Sequence, residues 1–306
     1  MIQFITHKNI DKKKWDNCIK QSFNHSVSAY SWYLDSVFEN WSALILNDYQ
    51  AVFPLPIKSK YTIQYFLQPL FIRSLGIYSK QIVSETLVNK FFDAIPNSIK
   101  LIDFHLQENI PFNRKEFEIV QRKFQTLDLS RSYELIIENY KGDAKRNIKK
   151  AEKAELSVSK NVTAHEIVML FKSGKGKELK NLKPDDFILL ENLMNTCLEH
   201  NKGIMRAVYN KQKQLVAAGF FIKQDNHVLF LQGCSSQEGK LQGAMYLLLN
   251  TLFKQYANQP ILFDFGGSSI ESIANFNKNF GAKDCVYLQV KKNTLPALVK
   301  WVSRKS

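Results

Sequence analysis

Residues 261–282 have the sequence ILFDFGGSSIESIANFNKNFGA, which predicts a strand, a turn and a helix in that order. The first five residues are apolar except for Asp264, so they predict a buried strand over 261–265. An aspartate at the end of such a strand can orient an amine or act as a base. It can equally be a structural residue whose carboxylate accepts hydrogen bonds from backbone amides.

The turn after this strand contains Gly266 and Gly267. Ser268 and Glu271 have the spacing of a capping box, which predicts a helix over 269–280. Glycines at this place let a ligand approach the backbone, and the N-terminus of a helix favours anions. The turn is therefore a candidate binding site, although the same capping pair would also serve a purely structural helix.

Two segments recur along the chain at nearly the same offset. LIDF at 101–104 returns as LFDF at 262–265, 161 residues later, and ALILN at 43–47 returns as the similar RAVYN, 163 residues later. Both halves also show the same predicted order of elements. This pattern indicates a tandem duplication with a boundary near residue 130, so we expect domains at 1–130 and 131–306.

The composition is that of a folded globular protein, with 45% hydrophobic and 23% charged residues in a chain of 306. No segment approaches the run of about 20 apolar residues that a membrane-spanning helix needs. Four scattered cysteines without metal-ligand spacing predict reduced thiols in a cytoplasmic protein, and no metal site. They are Cys18, Cys197, Cys234 and Cys285.

The formal net charge is +14, and half of this excess lies in 141–183, which has twelve basic and five acidic residues. A helix is predicted over 143–154, and four of its basic residues are spaced to form one stripe. These residues are Arg146, Lys149, Lys150 and Lys153. The stripe predicts an anionic partner that carries phosphates, or else a solvated surface that keeps the protein soluble.

Several other elements of the second half follow from residue patterns. Residues 133–137 are rich in aromatic and β-branched residues and predict a strand. Helices are predicted over 164–171 and over 184–199, the second of which begins with a proline. Apolar residues recur at helical spacing in 241–256 and predict one continuous helix.

The order of these motifs resembles the tandem acyltransferase fold of the FemAB-like branch of the GNAT superfamily, together with BioF2-like acetyltransferase domains. The resemblance rests on the strand with Asp264, the glycine turn, FNKNFGA at 276–282 and RNIKKAEKA at 146–154. It implies an α+β fold of two tandem GNAT domains, each with a mostly antiparallel sheet flanked by helices. It also implies an acyl site in the second domain, where strands at 228–232 and 261–265 separate.

The resemblance further implies an N-acyltransferase, in which an amine attacks an activated acyl carbonyl and the protein mainly positions the reactants. The implied donor is acetyl-CoA or another acyl-CoA, without a metal ion. The implied acceptor is an amine of a small molecule or of a cell-envelope precursor.

Two alternative functions remain open. One is an aminoacyl-tRNA-dependent transferase of the FemAB type, which the basic segment 141–183 favours. The long helical arm of such enzymes is not evident here, because 155–203 predicts only two short helices. The other alternative is a binding protein that has kept the fold and lost catalysis.

The resemblance also indicates catalytic residues. Asp264 would act on the amine, as proposed above from its position alone. FemAB-like proteins carry a lysine directly after the first phenylalanine of the last helix motif. Here Asn277 stands in that place and Lys278 follows it, about 100° further round the helix. We therefore expect Asp264, Lys278 and Asn277 in the catalytic site.

A coenzyme A-binding GNAT domain has the pattern [RQ]-x-x-G-x-[GA] before its long helix, where backbone amides hold the pyrophosphate. The corresponding segment here is 237–245, which fits that pattern only in part. By this resemblance, Lys240, Gln242, Gly243 and Ala244 would bind the cofactor.

Substrate contacts are expected from strands that line the second-domain cleft and from the glycine turn. Arg206 and Gln232 lie on predicted strands and would bind the substrate, or they are solvated residues at the edge of the core. Gly266, Gly267 and Ser268 form the turn and are the remaining expected contacts.

Overall fold

The computed structural model describes residues 1–60, 63–179, 182–267 and 270–295. Its strands, in chain order, are β1 (Ile2–Ile5), β2 (Ser42–Leu46), β3 (Ala51–Leu55), β4 (Ile57–Lys60), β5 (Ile63–Leu67), β6 (Tyr78–Ser79), β7 (Ile99–Leu106), β8 (Glu118–Asp128), β9 (Ser157–Ser159), β10 (Gly203–Tyr209), β11 (Leu215–Gln224), β12 (His227–Ser235), β13 (Leu262–Gly267) and β14 (Lys283–Asn293). Its α-helices are α1 (Lys12–Gln21), α2 (Ser31–Val37), α3 (Glu85–Asp93), α4 (Tyr133–Glu138), α5 (Gly142–Lys153), α6 (Ala164–Ser173), α7 (Pro184–Glu199), α8 (Gln237–Gln242), α9 (Ala244–Tyr256) and α10 (Glu271–Lys278).

The chain forms two compact units. Unit 1 comprises Met1–Arg122 and the described part of Val286–Ser306, and unit 2 comprises Lys123–Cys285. The prediction of a mixed α and β fold with mostly antiparallel sheets is confirmed. Within the described residues, no helix combines the length and the apolar character that crossing a membrane requires.

Unit 1 contains an antiparallel sheet of four strands in the order β1-β2-β3-β6. A second group of strands has β4 antiparallel to β5, β5 parallel to β7, and β7 antiparallel to β14. Aromatic rings join the two groups, because Phe53 of β3 contacts Phe66 of β5 and Phe104 of β7. Each of these rings is fully buried, which stabilises the unit by about 1.5–3 kcal/mol per side chain.

Unit 2 contains strands in the order β8-β13-β12-β11-β10-β9, of which only β12 and β13 are parallel to each other. Helices α4, α5 and α9 pack on this sheet and share one apolar cluster with its strands. Helices α6 and α7 pack against β10, β11 and β12 outside that cluster. The candidate site lies where β12 and β13 meet.

The strand predicted at 133–137 is wrong, because these residues form α4. The hydroxyl of Ser132 caps the helix by accepting a hydrogen bond from the amide of Leu135. Glu134 lies in the first turn, where a negative charge is favourable, and Ile136 is buried. The capping residue and this packing outweigh the preference of isoleucine for strands.

The other predicted helices of unit 2 are present. The helix at 143–154 corresponds to α5, that at 164–171 to α6, and that at 184–199 to α7. The prediction of one continuous helix over 241–256 is wrong, because the segment forms two helices. Gly243 adopts a left-handed conformation, with φ of +76°, and divides the segment into α8 and α9.

Candidate functional site

Strands β12 and β13 are neighbours for only three residue pairs, the last of which joins Leu229 to Asp264. Beyond this pair, β12 continues to Ser235 and β13 to Gly267, and the described residues show no further pairing between them. The pairing of each strand with its other neighbour is also irregular here. The register between β12 and β11 shifts at Phe220, and the register between β13 and β8 shifts after Asp264. The two strands therefore separate and leave unpaired backbone groups along a space that we call the β12–β13 gap.

Asp264 is fully buried where this gap begins. Its Oδ1 accepts a hydrogen bond from the amide of Gly266 at 2.8 Å. Its Oδ2 lies 3.4 Å from Nε2 of His227, whose side chain is 43% exposed. The carboxylate therefore holds the glycine turn, and the imidazole connects it to solvent. Residue patterns did not single out His227, because only the parallel pairing of β12 with β13 brings it to Asp264.

Gly266 brings the turn close to β12. Its φ is +76°, and a Cβ added to it would lie 3.2 Å from the carbonyl oxygen of Phe230. Only glycine fits this position without strain. The β12–β13 gap therefore opens beyond Phe230, alongside residues 231–235. Gly267 pairs with Phe124 of β8, whereas the predicted contact Ser268 lies outside the described residues.

Asn277 and Lys278 belong to a polar network beside α10. Asn277 is buried, and its Nδ2 donates to Oε1 of Gln125 at 3.0 Å. Gln125 in turn donates to Asp284 at 3.0 Å, and Nζ of Lys278 lies 2.7 Å from Oδ2 of Asp284. The hydrogen bond from Lys278 is the largest of the interactions that lower the pKa of Asp284. Both predicted catalytic side chains are thus bound within the protein, and Lys278 alone of the two keeps exposed surface.

The segment before α9 is a short helix packed tightly against the rest of unit 2. A Cβ on Gly239 would lie 2.1 Å from the carbonyl oxygen of Val216, and one on Gly243 would lie 2.4 Å from that of Asn147 on α5. The amide of Gly239 donates to Ser236, and that of Gly243 donates within α8. These two glycines therefore serve close packing, and their amides are already paired.

The remaining predicted cofactor residues surround the start of α9. Lys240 is exposed, and Ala244 is fully buried at the first position of the helix. Gln242 donates to Glu238 at 3.2 Å, but its Oε1 is buried and has no partner in the described part of the chain. Among the residues that the structure describes, no side chain caps α9, and its first turn contains no acidic residue. The first amides of this helix are therefore available to an anion.

The two predicted substrate contacts on strands lie apart. Gln232 is half-buried on the part of β12 that borders the gap. Arg206 lies two strands away on β10, where it is buried and donates to the carbonyl of Met205 and to Gln255 of α9. Burial lowers the pKa of Arg206. The structure therefore brings Gln232 to the gap, together with Asp264 and the glycine turn, and does not bring Arg206 there.

Unit 1 contains a parallel strand pair with the same register, but its gap is filled. The last pair of β5 and β7 joins Leu67 to Asp103, the aspartate of the LIDF segment at 101–104 that matches Asp264 in LFDF. The side chain of Gln68 then accepts a hydrogen bond from the amide of His105 at 2.8 Å. Leu75 returns to β7 and donates to the carbonyl of His105 at 2.8 Å. The chain itself thus occupies in unit 1 the space that stays unpaired in unit 2.

The basic stripe predicted on 143–154 is present on α5. Its members are exposed, whereas Ala144, Ile148 and Ala151 face the core. We call Arg146, Lys149, Lys150 and Lys153 together the α5 stripe. Arg146 forms an ion pair with Asp143, and the backbone of α5 touches the residue that precedes α9. The helix that carries the α5 stripe therefore packs against the start of α9.

Among the described residues, no group of three or more His, Cys, Asp or Glu side chains could hold a metal ion. No family model and no curated protein matches the sequence.

Solved structures do resemble the chain in fold. FemX has a TM-score of 0.64 at 12% identity, with 94% of this chain and 96% of FemX covered. A conserved protein of unknown function from Bacteroides thetaiotaomicron has a TM-score of 0.64 at 10% identity, with 95% and 99% covered. L-PGS from Bacillus licheniformis has a TM-score of 0.55 at 10% identity, with 95% of both chains covered. At these identities the likeness establishes the fold alone, which this chain shares with FemX and L-PGS.

Proposed function

We propose that this protein is an N-acyltransferase whose donor binds along the β12–β13 gap of unit 2. The observation that carries the proposal is the loss of pairing after Leu229 and Asp264, beyond which no described strand pairs with the edge of β12 beside the glycine turn. An extended chain that carries the acyl group can form hydrogen bonds to this edge, as an added strand does. The filled gap of unit 1 favours unit 2 as the donor site.

In the proposed reaction, the amine nitrogen attacks the acyl carbonyl, a C–N bond forms, and the bond to the donor's sulfur or oxygen breaks. The leaving thiol or hydroxyl takes up a proton, and the ammonium loses one. Asp264 contributes by fixing the Gly266 turn and by placing a negative charge next to the gap, which favours an approaching ammonium. Asp264 accepts the proton that the ammonium loses, and His227, whose Nε2 lies 3.4 Å from Oδ2, provides the route by which this proton reaches solvent. Gln232 is the proposed polar contact with the donor.

The phosphates of the donor would bind at the start of α9. Its free amides and the positive end of its dipole favour an anion. The α5 stripe and Lys240 add exposed positive charge to unit 2. The amides of Gly239 and Gly243 are already paired and do not contribute.

Two classes of donor carry both an activated acyl group and phosphates. Acyl-CoA is our first candidate, because the gap accepts an extended chain and the uncapped helix accepts a pyrophosphate. Aminoacyl-tRNA is the second, because the α5 stripe presents four exposed cations to a larger polyanion. This chain matches 96% of the length of FemX, so FemX has no long additional segment that this chain lacks. The absence of a long helical arm therefore does not count against the second donor.

Calorimetric titration with acetyl-CoA, longer acyl-CoAs and a transfer RNA tests the proposal, each at two salt concentrations. Binding of an acyl-CoA with a shallow salt dependence supports the first donor, and binding of transfer RNA with a steep dependence supports the second. Turnover is then measured as release of free thiol or free tRNA with a panel of small-molecule and cell-envelope amines. Binding of a donor without turnover of any amine would favour a protein that has lost catalysis, and binding of neither donor would refute the proposal.

A further inference from the structure

Strand β7 of unit 1 has one buried face and one polar face. Ile102, Phe104 and Leu106 are buried, whereas the alternating residues Asp103 and His105 are half-buried on the opposite face. Charged and titratable side chains on a half-buried sheet face are unusual unless they are paired with other groups. We therefore identified which polar atoms of this face are paired within the protein and which remain available to a ligand.

Strand β14 supplies two nearly buried neighbours on this face. Gln289 is directly opposite His105 in the antiparallel register, so their side chains project from the same side of the sheet. The ring centroids of Tyr287 and His105 are 5.1 Å apart in an edge-on contact. Tyr287 and Gln289 are 6% and 9% exposed, respectively. They form a fixed wall beside the imidazole.

The tautomer of His105 follows from its hydrogen bond. Its Nδ1 lies 2.9 Å from the carbonyl oxygen of Arg73. Because a carbonyl only accepts, Nδ1 carries the proton, and in the neutral ring Nε2 is left with a lone pair. Burial lowers the pKa of His105, which favours this neutral form. Nε2 has no partner among the described residues.

Arg122 lies on the other side of Gln289. Its Nε and Nη2 donate to Oε1 of Gln289 at 2.8 and 2.6 Å, and Gln289 donates to Oδ1 of Asp103. In the described part of the chain no carboxylate pairs with Arg122, and Nη1 has no acceptor. A half-buried guanidinium whose charge is not compensated favours an anionic ligand.

We propose that this face of unit 1 binds a small primary amine that also carries a carboxylate or a phosphate. Arg122 binds the anionic group, and Asp103 and Nε2 of His105 accept hydrogen bonds from the amine. Gln289 bridges Arg122 and Asp103, which therefore form no direct ion pair with each other. Both charges remain available to a ligand. This arrangement selects against simple amines, which lack the anion, and against simple acids, which lack the donor.

The inference goes beyond the proposed function, because it assigns a separate ligand site to unit 1. It is tested by binding alone, with no donor present. Failure of acyl transfer and failure of this site are therefore distinguishable.

The test uses the whole protein with ¹⁵N-labelled histidine, whose long-range ¹H–¹⁵N spectrum reports the tautomer of each ring. His105→Gln assigns the resonances. We expect His105 to show Nδ1 protonated, and its signals to shift on titration with L-alanine or with O-phosphoethanolamine. These two probes separate a carboxylate from a phosphate source. Ethanolamine, which lacks the anion, and propionate, which lacks the amine, should bind at least tenfold more weakly.

Arg122→Gln should abolish the preference for L-alanine or O-phosphoethanolamine over ethanolamine, and Arg122→Lys should restore part of it. Lys115→Gln is the matched control, since it removes the same charge from an exposed residue of unit 1. If Arg122→Gln does not fold, competition by sulfate in the wild-type protein tests the anion subsite instead. The proposal is overturned if neither anionic amine shifts the His105 signals, if ethanolamine binds as tightly, if Lys115→Gln has the same effect, or if sulfate fails to compete in that case.

Discussion

Replacement of Gly243 by alanine tests the contact between α5 and the start of α9. The residue has φ of +76°, which costs an alanine roughly 1–2 kcal/mol. The new Cβ would also lie 2.4 Å from the carbonyl oxygen of Asn147, so α5 or α9 must move. Overpacking of this kind typically costs about 1–3 kcal/mol. We therefore expect Gly243→Ala to lower the free energy of unfolding by about 2–5 kcal/mol.

Urea unfolding followed by far-ultraviolet circular dichroism measures this loss, which corresponds to a fall of about 1–2.5 M in the midpoint at an m-value of about 2 kcal/mol/M. Gly142→Ala is the control, because no atom lies within 4 Å of its added Cβ and it begins α5. The control should be neutral or stabilising by up to about 1 kcal/mol. Tryptophan fluorescence separately reports unit 1, which contains Trp15, Trp32 and Trp41. Equal midpoints for the two variants would refute the packing argument.

Three further predictions concern the proposed site. Asp264→Asn keeps an oxygen that can accept from the amide of Gly266, so the protein should fold with nearly unchanged thermal stability while acyl transfer falls by about 10²–10⁴-fold; unchanged turnover would leave Asp264 a purely structural residue. Replacing all four residues of the α5 stripe with glutamine should weaken donor binding and flatten its salt dependence, because exposed charges act jointly over about 8–10 Å at physiological ionic strength; an unaltered affinity and slope would make the stripe a solvated surface. The hydrogen bond from Lys278 lowers the pKa of Asp284, so its stabilising effect is present above the ordinary value of 3.8 and is lost as the pH falls through the lowered value. Acid unfolding of Asp284→Asn should therefore show a smaller loss of stability below pH 3.8 than the wild type, and identical acid curves would contradict this assignment.

Local patterns predicted most elements of the fold. Pro184 and the spacing of apolar residues were sufficient for α7, and the glycines at 266 and 267 marked the end of β13. The same kind of reasoning failed at 133–137, where the hydroxyl of Ser132 and packing of Ile136 decide for a helix. It also passed over the break at Gly243, because apolar spacing alone does not show that Asn147 will pack against this position.

The site was predicted at the level of its strands rather than its side chains. The family resemblance predicted that the strands at 228–232 and 261–265 separate, and in the structure their pairing ends after Leu229 and Asp264. The bonds of Asn277 were not predictable, because its partner Gln125 is 152 residues away and neither residue type requires the other. The hydrogen bond of His105 to the carbonyl of Arg73 was not predictable either, because any backbone carbonyl could accept it.

The different filling of the two gaps has a consequence for the exchange of backbone hydrogens with solvent. In unit 1 the amide of His105 is held by the side chain of Gln68, so its deuterium uptake should be slow and unaffected by any acyl donor. In unit 2 no described strand pairs with β12 across the gap beyond Phe230, so the amides that face the gap there should exchange within the shortest labelling times. A donor that lies along the gap would slow the exchange of these amides alone, and peptides covering residues 231–235 would therefore report occupancy of the site even for a donor that is never turned over.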